Sequence, residues 1–302
     1  MSRRAFLTTS TGATVPLSRL GAEEKTNWID SHVHVWNTDR QTYPISKNSA
    51  DHKPEPDSFM PAELFALQNG SGVQRTVLVQ MSFYEFDNQL MLDVMNEYPG
   101  RFGGIGIVNH EEENVGEVMA GLGKQGVRGF RLYAFEDRVK NWETHLGMKT
   151  MWKTGGENGW AMCCLSNPGA LPAIRKMCET YPDTPVVIDH FSRIGMTGEI
   201  DRDQLDRLCR LAELPRVHLK TSAYYALGKK TPPYSDLLPM FRQVRNAFGA
   251  ERLLWGSDCP YQVQGEHTYE ASLKLVTGYA DFLSEEEREH ILRGTAEKLF
   301  FS

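Results

Sequence analysis

Trp28-Ile29-Asp30-Ser31-His32-Val33-His34-Val35-Trp36 is the stretch from which the rest of the chain can be read. It is a short β-branched and aromatic run of strand type. Side chains i and i+2 of a strand share a face, so His32 and His34 converge on one side at its C-terminal end. Seven further runs of this kind follow: Thr76–Gln80, Phe102–Asn109, Gly126–Tyr133, Trp160–Ser166, Pro185–Phe191, Val217–Tyr224 and Leu253–Pro260. Most are continuously apolar rather than alternating, as expected of strands buried on both faces of a parallel sheet.

Helical spacing fills the intervals. A helix opens at Pro61, where proline suits a first turn. Asn88–Tyr98, Pro168–Tyr181, Asp201–Leu214, Ser235–Phe248 and Tyr269–Phe282 each carry an apolar stripe. Ser284-Glu285-Glu286-Glu287 reads as a capping box opening a last helix to Phe300. Eight strands alternating with helices predict an α/β protein, a single-domain (β/α)₈ TIM barrel. The 302 residues suffice for it, since such barrels take about 250. A doubly wound open sheet is the alternative, but no GxGxxG or GxxxxGK[ST] follows a strand. The polar, proline-rich connection 37–61 leaves the C-terminal end of strand 1, where barrel active-site loops lie.

With 24% charged residues and a net charge of -6, the chain has no basic surface for nucleic acid. No segment approaches the apolar length of a membrane span. Five cysteines without CxxC spacing argue against a disulfide framework and a cysteine-based zinc site. The first 25 residues stand apart. Ser2-Arg3-Arg4-Ala5-Phe6-Leu7, followed by small residues, reads as a twin-arginine export signal, which would place the protein in the periplasm. The alternative is a disordered tail on a cytoplasmic protein. The barrel domain is therefore set at 26–302. Nothing in the sequence specifies an oligomeric state.

Three strand ends carry chemistry. His32 and His34 suit a divalent cation or a polarised water, or else are buried structural histidines. Val186-Val187-Ile188-Asp189-His190 brings His190 to the barrel mouth if Ile188 faces the interior. Leu253-Leu254-Trp255-Gly256-Ser257-Asp258-Cys259-Pro260 ends in an aspartate able to take a proton from water or ligate a metal, or to form an ordinary turn. One barrel would hold His32, His34, His190 and Asp258 at the same end.

These motifs, His-x-His on strand 1, Ile-Asp-His on strand 6 and Trp-Gly-Ser-Asp-x-Pro on strand 8, resemble the amidohydrolase superfamily. They are closest to the amidohydrolase-2 branch of sugar-lactone hydrolases and pyrone-dicarboxylate lactonases. Gly126-Val127-Arg128-Gly129-Phe130-Arg131 and the tail Ile291–Phe300 are similar to that branch too. The resemblance covers about residues 27–300. It implies that Asp258 is the general base, and that His190 bonds the substrate or the developing oxyanion. It implies that Arg131 stabilises negative charge or binds a carboxylate, and that His32 and His34 bind metal or substrate. Lys220 matches a family lysine without an assigned role.

The resemblance departs at strand 5, which has no histidine, and at strand 4, which offers Arg131 rather than lysine. A binuclear centre is not expected. One divalent metal, zinc by donor type, could be held by His32, His34 and Asp258, with Cys163, Cys164 or Cys259 as further candidates; the site could equally work without a metal. The expected reaction is hydrolysis of a small-molecule lactone, sugar-derived or aromatic, by water activated by Asp258. Trp36, Tyr43, Phe83, Tyr84, Tyr133 and Trp142 are candidates to surround the substrate, with Trp36 and Tyr133 foremost. Two alternatives are a zinc-dependent decarboxylase of the same branch and a non-catalytic binding protein on a barrel scaffold.

Overall fold

A computed structural model describes residues 26–302, so the N-terminal export signal or tail lies outside the described residues. Eight parallel strands pair in chain order: β1 Trp28–Val33, β2 Val73–Val79, β3 Phe102–Gly106, β4 Val127–Ala134, β5 Ala161–Ser166, β6 Val186–Ile188, β7 Val217–Ser222 and β8 Leu253–Gly256. The ring closes through a parallel bridge between Val33 and Cys259, with Asp258 N–H donating to the His32 carbonyl at 2.8 Å. This is the (β/α)₈ barrel expected from the sequence.

The crossovers are helical: α1 Pro61–Gln68, α2 Gln89–Glu97, α3 Val115–Lys124, α4 Leu146–Asn158, α5 Leu171–Thr180, α6 Arg202–Arg210 and α7 Leu238–Phe248. After β8 come α8 Tyr269–Lys274, α9 Glu285–Glu289 and α10 Thr295–Phe300, interrupted by π turns at Leu275–Tyr279 and His290–Gly294. The Ser284–Glu287 capping box is formed: Glu287 N–H donates to Ser284 Oγ at 3.2 Å, and Ser284 N–H to Glu287 Oε2 at 2.8 Å. Among the described residues, no helix is long and apolar enough to cross a membrane.

Two apolar layers hold this together. Ile29, Val77, Ile105, Cys163, Val187 and Leu254 fill the barrel, and Phe300 of α10 closes its lower end. Val186, Ile188, Leu219 and Leu253 face outward onto the helices. All five cysteines are free thiols, and burial pushes the Cys163 thiol up to about 12.

Helices α3 and α4 carry too many glycines for their spacing to announce them. Gly123 is there because the Trp160 ring lies against it: a Cβ would sit 2.2 Å from a ring carbon. Helix–strand proximity has outweighed helix propensity.

Candidate active site

Strand β1 is irregular between Asp30 and Val33. Ile29 points into the barrel core. The bulge resets the alternation, so His32 and His34 turn inward above it. Asp30, fully buried, fixes the bulge: its carboxylate accepts from His32 N–H at 3.2 Å, Ser257 N–H at 2.8 Å and Tyr269 O–H at 3.0 Å. Burial pushes its pKa up to about 6 against these hydrogen bonds.

The two imidazoles meet at Nε2, 3.3 Å apart. His34 Nδ1 lies 2.8 Å from the Val79 carbonyl, which can only accept, so Nδ1 carries a proton and the ring is held with Nε2 toward the cavity. Asp258 Oδ1 lies 3.3 Å from His34 Nε2 and 3.5 Å from His32 Nε2. Its other oxygen accepts from Tyr225 O–H at 2.7 Å. Burial acts to raise the Asp258 pKa, but the His190, His34 and His32 groups outweigh it and hold the carboxyl well below its usual range. Asp258 is therefore ionised at neutral pH.

His190 reaches this cluster by a route different from the one the sequence suggests. Val187, not Ile188, faces the barrel interior. The expected strand 185–191 stops at Ile188, and four consecutive residues take left-handed backbone: His190 (φ 54°), Phe191 (50°), Ser192 (53°) and Arg193 (60°). That turn swings His190 back over the mouth. Its Nδ1 meets Ser222 Oγ at 2.8 Å, and its Nε2 lies 3.9 Å from Asp258 Oδ2. Non-glycine residues seldom adopt this backbone, and runs of it cluster at functional sites.

Beneath the histidines lies a layer in which the sequence left Asp189 and Lys220 without roles. Asp189 is fully buried; Lys220 Nζ lies 3.2 Å from its Oδ1 and Arg131 Nη1 3.9 Å from its Oδ2. Burial would raise its pKa, but Lys220, His32 and Arg131 hold it well below its usual range. Lys220 Nζ also lies 3.1 Å from His32 Nδ1, and Arg131 Nη1 3.2 Å from His32 Nε2. Burial, then Lys220, pushes the His32 pKa well down, so His32 is neutral at physiological pH.

His34, Arg131, His190 and Asp258 line a cavity of about 410 Å³, together with Tyr133, Phe135, Arg193, Tyr225 and Tyr261. Of the residues expected at the site, His32, His34, His190, Asp258 and Arg131 come together, and Tyr133 lines the cavity. Trp36 does not: it is fully buried, donates from Nε1 to the Pro56 carbonyl at 2.7 Å and packs behind Tyr261. Its apolar bulk is worth more in the core than at the mouth.

A model of the amidohydrolase family matches residues 29–301. The chain belongs to the amidohydrolase family. This amidohydrolase is 29% identical over 277 residues to the L-fucono-1,5-lactonase of Burkholderia ambifaria, covering 89% of the chain and 93% of the relative. It is 26% identical to the 4-sulfomuconolactone hydrolase of Hydrogenophaga intermedia, covering 90% and 88%. The solved structure of a Pseudomonas putida protein, provisionally described as a 2-pyrone-4,6-dicarboxylic acid hydrolase, superposes with a TM-score of 0.78 at 25% identity, over 91% and 98% of the chains. The chain is thus a hydrolase whose named relatives act on lactones and related cyclic esters.

Members of this family commonly use a divalent metal, and the amidohydrolase has candidate ligands: one atom each from His32, His190 and Asp258 lies within 4.8 Å of the others. His34 Nε2 also points there. A guanidinium and an ammonium already face both nitrogens of His32, however, so these residues do not fit a resident dication as placed. A second cluster, His110, Glu111 and His145, is partly exposed. There His145 Nδ1 accepts from Met148 N–H at the start of α4, so its Nε2 carries the proton and donates to Glu111 at 3.1 Å. That cluster is a hydrogen-bonded helix cap. Arg193 and Tyr225 were not legible as site residues, because turn geometry alone brings them in.

Proposed function

We propose that the protein hydrolyses a small lactone bearing an acidic group, with Asp258 as general base and without a resident metal. The observation that carries this is the placement of Arg131 Nη1 3.2 Å from His32 Nε2, on the floor of the cavity that Asp258 lines. A fixed positive charge therefore stands where a lactone carbonyl oxygen would become an oxyanion.

Water between Asp258 and the carbonyl carbon loses its proton to Oδ1 as its oxygen forms the new C–O bond. The tetrahedral oxyanion is stabilised by Arg131, with Lys220 behind His32. Its collapse breaks the bond to the ring oxygen, and that alkoxide takes the proton back from Asp258. The product is an open-chain hydroxy acid. A carboxylate with so low a pKa is a weak base, so stabilisation of the oxyanion must lower most of the barrier.

The acidic group has a receptor in Arg193. Its Nη1 donates to Asn167 Oδ1 at 2.9 Å, and its guanidinium lies 5.6 Å from the Phe135 ring centroid. Among the described residues it has no carboxylate partner. Two of the relatives are named for sulfonated or dicarboxylic substrates, which supports the same reading.

The test is acid release from two lactone series, neutral sugar-acid lactones and carboxylated or sulfonated ones. The anionic series should win in kcat/KM by at least tenfold, and Arg193→Gln should remove most of that margin. Equal turnover of both series would refute the acidic-substrate reading; turnover of neither would refute the lactonase reading.

A further inference from the structure

Beside the catalytic cavity lies a larger one, about 640 Å³. Ser82, Arg131, Tyr133 and Phe135 line both, so the two share a wall built on β4 and its extension and on the turn after β2. Ligand cavities of about 300–1,000 Å³ hold drug-sized molecules, so the catalytic cavity alone already accommodates a single-ring lactone. The second space is surplus to that need.

Its lining is amphipathic. Ile107, Val108, Leu132, Trp142 and Met148 make a buried apolar floor. Phe86, at its edge, is 49% exposed and borders the apolar floor. The Arg138 guanidinium lies 5.5 Å from the Tyr133 ring centroid and 5.9 Å from that of Phe135, with no carboxylate partner among the described residues. Glu85, the acid lining the cavity, is turned to Asn48, whose Nδ2 donates to it at 3.0 Å. A flat apolar group with an anionic end satisfies every feature: the floor takes the ring, Phe86 covers it and Arg138 receives the charge. A neutral polyol would leave the floor wet and Arg138 unanswered.

We propose that this second cavity binds an aromatic arm of the substrate that ends in a carboxylate or sulfonate, so that the full substrate spans both compartments. The proposal builds on the lactone-hydrolase reading, but its test is separable from it. Biphenyl-4-carboxylate is titrated calorimetrically into the Asp258→Asn protein, alone and combined with Arg138→Gln or with Phe86→Ala. Phe86 is exposed, so its loss leaves folding intact. Binding should weaken at least tenfold with each added change. No binding, or binding indifferent to both, overturns the second compartment. In parallel, wild type is assayed on one lactone with and without a carboxyaryl arm. The arm should lower KM at least tenfold, and Phe86→Ala should raise KM for the armed lactone alone. An arm without effect likewise overturns the proposal. If biphenyl-4-carboxylate binds as expected while no lactone is turned over, the compartment stands and the lactonase reading falls.

Discussion

Arg131 Nη1 and His32 Nε2 face one another at 3.2 Å, and around this contact the buried charges balance. The cations are Arg131 and Lys220; the carboxylates are Asp189 and Asp258. A dication placed about 4 Å from the guanidinium would meet a repulsion of roughly 8 kcal/mol at an effective dielectric of about 20. Arg131→Met should therefore lower kcat about 100- to 1,000-fold, the usual cost of losing an oxyanion donor. The same variant should hold one equivalent of zinc against none expected in wild type, counted by elemental analysis after dialysis.

Tyr225 donates to Asp258 at 2.7 Å, a bond that favours the ionised carboxylate. Its removal in Tyr225→Phe should raise the Asp258 pKa. The acid limb of the kcat/KM profile should then move to higher pH, while the rate on the plateau falls modestly. An acid limb that stays in place would show that another group sets it. Asp258→Asn should lose about 10²- to 10⁴-fold across the whole profile.

Asp30 ties β1 to the end of β8, and it does so at a cost that depends on pH. Its folded pKa, about 6, lies above its ordinary value of 3.8, so between these values the native state binds more protons than the unfolded one. Stability should therefore fall as pH rises from about 4 to about 6, by at most about 3 kcal/mol. Asn at this position can still accept from Ser257 and His32 and donate to Tyr269. Melting curves of Asp30→Asn should show this slope removed; an unchanged slope would assign it to other groups.

Gly123 of α3 lies under Trp160, where a Cβ would come within 2.2 Å of a ring carbon. Gly123→Ala should destabilise the fold by about 1–3 kcal/mol through overpacking, despite alanine's better helix propensity. A melting temperature at or above that of wild type would contradict this.

The barrel was legible because buried parallel strands leave continuous apolar runs, and eight of them were found in order. Helices α3 and α4 were not, because their glycines serve contact with Trp160 and neighbouring loops rather than helix formation. His32, His34 and Asp258 were legible because strand-end polar residues stand out against apolar runs. Asp189 was hidden beside His190: the alternation was read one residue out of phase, so Asp189 follows Val187 inward, and the left-handed turn at 190–193 brings His190 to the site as well. Lys220 could be seen but not assigned, since its role exists only between Asp189 and His32, 31 and 188 residues away in sequence. Trp36 misled, because an aromatic at a strand end serves a core as readily as a cavity.

The central claim, hydrolysis by Asp258 at a metal-free cationic site, is tested most directly by lactone turnover of chelator-treated protein whose metal content is measured on the same sample. The account predicts full kcat at negligible metal content, and its disappearance in Asp258→Asn. Activity lost on chelation and restored by stoichiometric zinc would contradict it.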